Sequence, residues 1–64
     1  MQVKVAELVG ESQESWQNAV ENAVAEAAKS FNNITGVEVY NMTADCQDNK
    51  IFEYKANIKI AYCE

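Results

Sequence analysis

Ten carboxylates, five lysines, two cysteines and three tyrosines are the side chains of this chain that could do acid–base, redox or binding chemistry. Histidine and arginine are absent. Without histidine, no Ser–His or Cys–His pair can generate a nucleophile within one chain. No glycine-rich phosphate loop is present either. The sequence therefore predicts a protein without enzymatic activity and without catalytic residues.

The other chemistries are also thin. Cys46 falls at the start of a predicted turn and Cys63 at the end of the last predicted strand. At about 3.3 Å per residue they lie on the order of 40 Å apart, whereas a disulfide needs Cα atoms within roughly 7 Å. Two reduced thiols are expected, and their spacing matches no zinc or thioredoxin-type motif. Asp45, Asp48 and Glu53 gather near the turn and could attract a cation. Calcium takes six to eight oxygens, so such a site would have to be shared between subunits. Its metal ligands stay undefined. Asn33-Ile34-Thr35 and Asn41-Met42-Thr43 match the glycosylation sequon but read as polar strand and loop residues.

What positions these groups is a short, acidic chain: 64 residues with a formal net charge of -5. One domain, residues 1–64, is expected. A domain this small buries only about 60% of the surface its unfolded chain exposes, and it has no staple, so association with copies of itself is expected. The charge argues against nucleic acid, which needs a basic patch, and against an anionic membrane surface. No apolar stretch is long enough to span a bilayer. Met1-Gln2-Val3-Lys4-Val5 lacks the apolar core of a signal peptide, so a cytoplasmic location is expected.

The pattern reads as α+β, in the order βαββ. Residues 2–9 form a valine-rich strand ending at Gly10, though Glu7 shares parity with Val3, Val5 and Val9. Residues 13–31 read as a helix. Trp16, Ala19, Val20, Ala23, Val24, Ala27 and Phe31 recur at spacings of three and four. Ser12 is the expected N-cap, Glu14 sits in the first turn, and Asn32-Asn33 is the stop. The alanines of the stripe permit close approach of a sheet.

Residues 34–46 and 51–63 read as two strands joined through Asp48-Asn49, which tolerate positive φ. Gln47 then faces Lys50. The same register places Val37 opposite Ile60, Val39 opposite Ile58, Thr43 opposite Tyr54 and Ile34 opposite Cys63. The helix-facing side would hold Val37, Val39, Thr43, Tyr54, Ile58 and Ile60, with Phe52 and Tyr62. Glu38 faces Lys59, Tyr40 faces Asn57 and Met42 faces Lys55 on the other side. The third strand alternates most cleanly and is placed centrally, giving a three-stranded antiparallel sheet of order 1-3-2. The face away from the helix carries Gly36, Glu38, Tyr40, Met42, Lys55, Asn57, Lys59 and Ala61. An open face and two edges are liabilities in a monomer and interfaces in an oligomer.

Val5-Ala6-Glu7-Leu8-Val9-Gly10, then Ser12, Ser15-Trp16 and Ala19-Val20, resemble the opening of dodecins. Val37-Glu38-Val39 and Ile58-Lys59-Ile60-Ala61-Tyr62 resemble their later strands. The resemblance covers essentially the whole chain and rests on order and spacing. It implies a βαββ subunit in a hollow homododecamer that stores a flavin (FMN, FAD or riboflavin) between subunits. It further implies a tryptophan stacking on the flavin ring and a glutamine reading its edge. Those positions are Gly36 and Lys55 here. Gly36 has no ring to stack, and Lys55 donates but cannot copy an amide's donor and acceptor. Tyr40, on the same face, is a substitute stacking candidate. Gly36, Lys55 and Tyr40 are therefore the candidate ligand-binding residues, with Trp16 assigned to packing. The competing expectation is a structural or cation-binding shell that holds no flavin.

Overall fold

The computed structural model describes residues 2–64. Its elements are β1 (Val3–Ser12), α1 (Trp16–Ala27), β2 (Ile34–Gln47) and β3 (Lys50–Cys63). The strands form one antiparallel sheet in the order β1-β3-β2, as the sequence predicts. Asp48 (φ 55°) and Asn49 (φ 64°) both occupy the left-handed region. They make the two-residue turn between β2 and β3, with Gln47 paired to Lys50.

β1 runs past Gly10 to Ser12. Its odd residues Val3, Val5 and Val9 are exposed, while Gly10 and Ser12 are buried and Ala6 and Leu8 half-buried. The valines therefore face away from the helix, which explains why Glu7 shares their parity. Gly10 is not a strand terminator but the seat of the helix. A Cβ there would collide with the Ala19 carbonyl and come within 2.9 Å of Ala23 Cβ. Only glycine lets the two backbones approach this closely.

The helix begins at Trp16 rather than at residue 13, and its N-cap is Ser15, not Ser12. The Ser15 hydroxyl accepts from the Asn18 N–H at 3.0 Å. Ser12 stays in the sheet, paired with Tyr54. Its hydroxyl accepts from the Glu14 N–H (2.9 Å) and donates to Asn18 Oδ1 (2.7 Å), fixing the bend from strand to helix. Glu14 consequently precedes the helix, whose first turn contains no acid. At the other end the helix stops at Ala27, short of residue 31. Phe31 still packs, its ring stacked on Tyr62 at 4.4 Å. Asn33 then turns the chain at φ 54°.

The core is Ala19, Ala23, Ala27, Ala56, Ile58 and Ile60, with Leu8, Val20, Val24, Phe31, Ile34 and Tyr62 packed around it. Small helix residues against large sheet residues give the interdigitation that close packing needs. Of β2, only Ile34 joins this cluster among the described residues. Val37 and Val39 lie opposite Ile60 and Ile58, as expected, yet they remain 45% and 39% exposed. The helix rides over β1 and β3 and leaves the same side of β2 uncovered. No helix among the described residues is long and apolar enough to cross a membrane.

The β2–β3 register differs from the even pairing at three irregularities. Phe52 is the extra residue on β3, between the Cys46–Ile51 and Asp45–Glu53 pairs. Tyr40 is the extra residue on β2, between Val39–Ile58 and Asn41–Asn57. Between these bulges the pairing is displaced by one. Thr43 faces Lys55 instead of Tyr54, Met42 faces Ala56 instead of Lys55, and Asn57 faces Asn41 instead of Tyr40. Met42 therefore leaves the open face and Thr43 joins it. A third irregularity at Thr35 pairs Ile34 with Tyr62 instead of Cys63.

Candidate functional site

The sheet face away from the helix is built of cross-strand rows, because residues aligned across antiparallel strands share a side. One row is Val5, Ala61 and Gly36. The next, toward the hairpin, is Glu7, Lys59 and Glu38. Ala61 is small and Gly36 has no side chain, so the first row is a trough. It opens as a depression of about 640 Å³ lined by Val5, Gly36, Val37, Glu38, Lys59 and Ala61. A Cβ added to Gly36 would meet nothing within 4 Å.

Gly36 thus sits in the concavity, on the face the sequence assigns to it. Lys55 is on that same face but not in the trough. It lies six residues from Ala61 along β3, about 20 Å at the strand rise. Its ammonium is 3.0 Å from Asp45 and 3.9 Å from Glu11, a clasp across all three strands. The hydrogen bond and charge of Asp45, helped by Glu11 and Glu53, raise its pKa above the ordinary lysine value. Tyr40 stands between the two positions, with the Lys59 ammonium 5.3 Å from its ring centroid. Gly36, Lys55 and Tyr40 are therefore not gathered into one site within a subunit.

Lys59, Glu38 and Val5 line the trough without having been candidates from sequence. The signal was available for two of them, since Glu38 and Lys59 face each other across the hairpin. Trp16 is elsewhere. Its ring packs edge-on to Tyr54 at 4.8 Å, and its indole N–H donates to the Thr43 carbonyl at 2.8 Å. It pins the start of the helix to β2, a packing role. Cys46 and Cys63 are both free. Asp45 pairs directly with Glu53 in the ladder, but no three acidic or sulfur ligands converge among the described residues.

A helix seated on one side of a three-stranded antiparallel sheet of order β1-β3-β2, with a trough and exposed valines on the other, defines a small α+β protein of the βαββ class. The Dodecin family model matches residues 3–64, and the chain belongs to that family. The tt0972 protein from Thermus thermophilus superposes with a TM-score of 0.91 at 26% identity, over 95% of this chain and 90% of that one. The dodecin from Streptomyces coelicolor gives a TM-score of 0.91 at 24% identity, over 95% and 87% of the two chains. The dodecin from Streptomyces davaonensis gives 0.91 at 23%, over 95% and 90%. The two Streptomyces likenesses speak for the fold alone. No curated protein matches the chain.

Proposed function

We propose that this dodecin-family chain assembles with copies of itself, twelve to a shell, and sequesters a small planar molecule of the flavin type in the cytoplasm. Its work is binding and storage, not catalysis. The observation that carries this reading is the trough at Gly36 on a sheet face that the chain itself leaves uncovered. Val3, Val5 and Val9 on that face are 68%, 62% and 60% exposed. So much aliphatic surface in a chain this small calls for a covering partner. Copies of the chain supply the cover, and a ligand fills what they leave.

The stacking-and-amide mode that the family resemblance implies does not fit these residues. No ring stands at Gly36, and Lys55 is held by two carboxylates away from the trough. The depression of about 640 Å³ over Val5, Ala61 and Gly36 supports a planar molecule lying on that apolar row instead.

A second reading is a structural or cation-binding shell without flavin. It is favoured by Asp45 facing Glu53, since like charges directly opposed repel and, among the described residues, Asp45 has an ion pair with Lys55 alone. Titration of riboflavin with the purified assembly distinguishes the two. Sequestration quenches flavin fluorescence at micromolar protein. Unchanged fluorescence, with an assembly that falls apart on chelation, establishes the shell instead. A monomer by light scattering removes both.

A further inference from the structure

We infer that Glu38 and Lys59 determine the specificity of the trough, reading the edge of a neutral planar heterocycle that presents an N–H beside a C=O. This rests on the small-ligand reading above and names the chemistry of that same site.

The two residues are partners in the β2–β3 ladder, and both line the depression. A carboxylate only accepts hydrogen bonds and an ammonium only donates them. Side by side on one wall they complement a lactam or ureide edge, whose N–H goes to Glu38 and whose carbonyl receives Lys59. Val5, Ala61 and Gly36 give the apolar floor on which the ring would lie.

Lys59 is also the lysine free to serve. Lys55 is committed to Asp45 and Glu11. Lys59 makes no ion pair within 4.0 Å among the described residues, and its ammonium rests over the Tyr40 ring instead. Moving it to a ligand carbonyl breaks no salt bridge. Charge selects further. Lys59 stands between Glu7 and Glu38 in its row, so the wall carries one more negative charge than positive. An anionic ring would be repelled, whereas a neutral one meets a matched donor and acceptor.

The probe is lumichrome, a neutral tricycle with this edge, titrated into the intact assembly and read by its fluorescence. N1,N3-dimethyl-lumichrome, which lacks both ring N–H groups, is titrated in parallel. Lys59→Met and Glu38→Met should each weaken lumichrome binding about tenfold, with Lys59→Arg restoring most of the loss. Lys55→Met should leave it within about twofold of wild type. The methylated probe should bind wild type about tenfold more weakly and be indifferent to Glu38→Met. Thermal melting and light scattering confirm that each variant is folded and assembled, with Glu38→Gln and Lys59→Gln as substitutes if a methionine variant is not. Lumichrome affinity that survives both changes, or that falls only in Lys55→Met, overturns the inference and leaves the storage reading standing. No binding of lumichrome by the wild type overturns both.

Discussion

Lys55 and Asp45 meet at 3.0 Å although Thr43, not Asp45, lies directly opposite Lys55 in the ladder. The bond runs diagonally across the sheet, and Glu11 of β1 approaches the same ammonium from the other side at 3.9 Å. One lysine thereby links all three strands. The bulge at Phe52 is what makes the diagonal available, because the even register would have put Lys55 opposite Met42.

This clasp predicts a loss of stability in alkali. Asp45 foremost, with Glu11 and Glu53, raises the Lys55 pKa in the folded state. A raised lysine pKa contributes stability that is complete below the unfolded value, about 10.4, and fades as pH climbs through the folded one. Melting temperatures of wild type and Lys55→Met should therefore converge above that pH, after differing at pH 7. A constant difference across the range would show that the ion pair contributes nothing.

Gly10 predicts the sharpest single-residue effect on the fold. In Gly10→Ala the methyl would strike the Ala19 carbonyl, a backbone atom that cannot rotate away. Overpacking of this kind costs about 1–3 kcal/mol, and about 1 kcal/mol moves the midpoint of so small a domain by roughly 4–8 °C. Melting should be compared at equal protein concentration, since assembly contributes to it. A midpoint within a degree of wild type would mean that helix and sheet separate more easily than their packing suggests.

The Asp48-Asn49 turn was legible because both residues tolerate positive φ, and the strand order was legible because β3 alternates most cleanly. Val37–Ile60, Val39–Ile58 and Glu38–Lys59 followed from counting outward from that turn. Counting failed between Phe52 and Tyr40, because two bulges displace the pairing and then restore it. Nothing in residue type marks where an extra residue will sit. The helix start was ambiguous for a related reason. Ser12 and Ser15 are both competent caps, and only pairing with Tyr54 keeps Ser12 in the sheet. At the site, Gly36 was placed on the correct face, but the trough depends on which neighbours share its row. That placed Lys59 in its lining and Lys55 outside it.

Trp16 predicts a local effect at the helix start. Trp16→Phe keeps an aromatic edge against Tyr54 but loses the hydrogen bond to the Thr43 carbonyl. A net hydrogen bond contributes about 0.5–1.5 kcal/mol, so the melting midpoint should fall by a few degrees while the assembly persists. Hydrogen exchange should quicken at the first turn of α1 and near Thr43. Exchange unchanged at both places would show that the indole contact does not hold the helix.

Gly36 allows a gain-of-function test. Its Cβ direction is empty for at least 4 Å, so an aromatic side chain can enter the trough without displacing the fold. Gly36→Trp should melt close to wild type. It should also bind riboflavin more tightly, because a stacked aromatic pair contributes about 0.5–1.5 kcal/mol beyond burial, or roughly 2- to 10-fold in affinity. The measurement is the midpoint of flavin fluorescence quenching at fixed subunit concentration, with light scattering to confirm that assembly is unchanged. An assembled Gly36→Trp variant whose midpoint stays at the wild-type value would mean that the ligand does not lie over position 36. The trough would then be interface space filled by a neighbouring copy, and the charged wall of Glu38 and Lys59 would face protein rather than ligand.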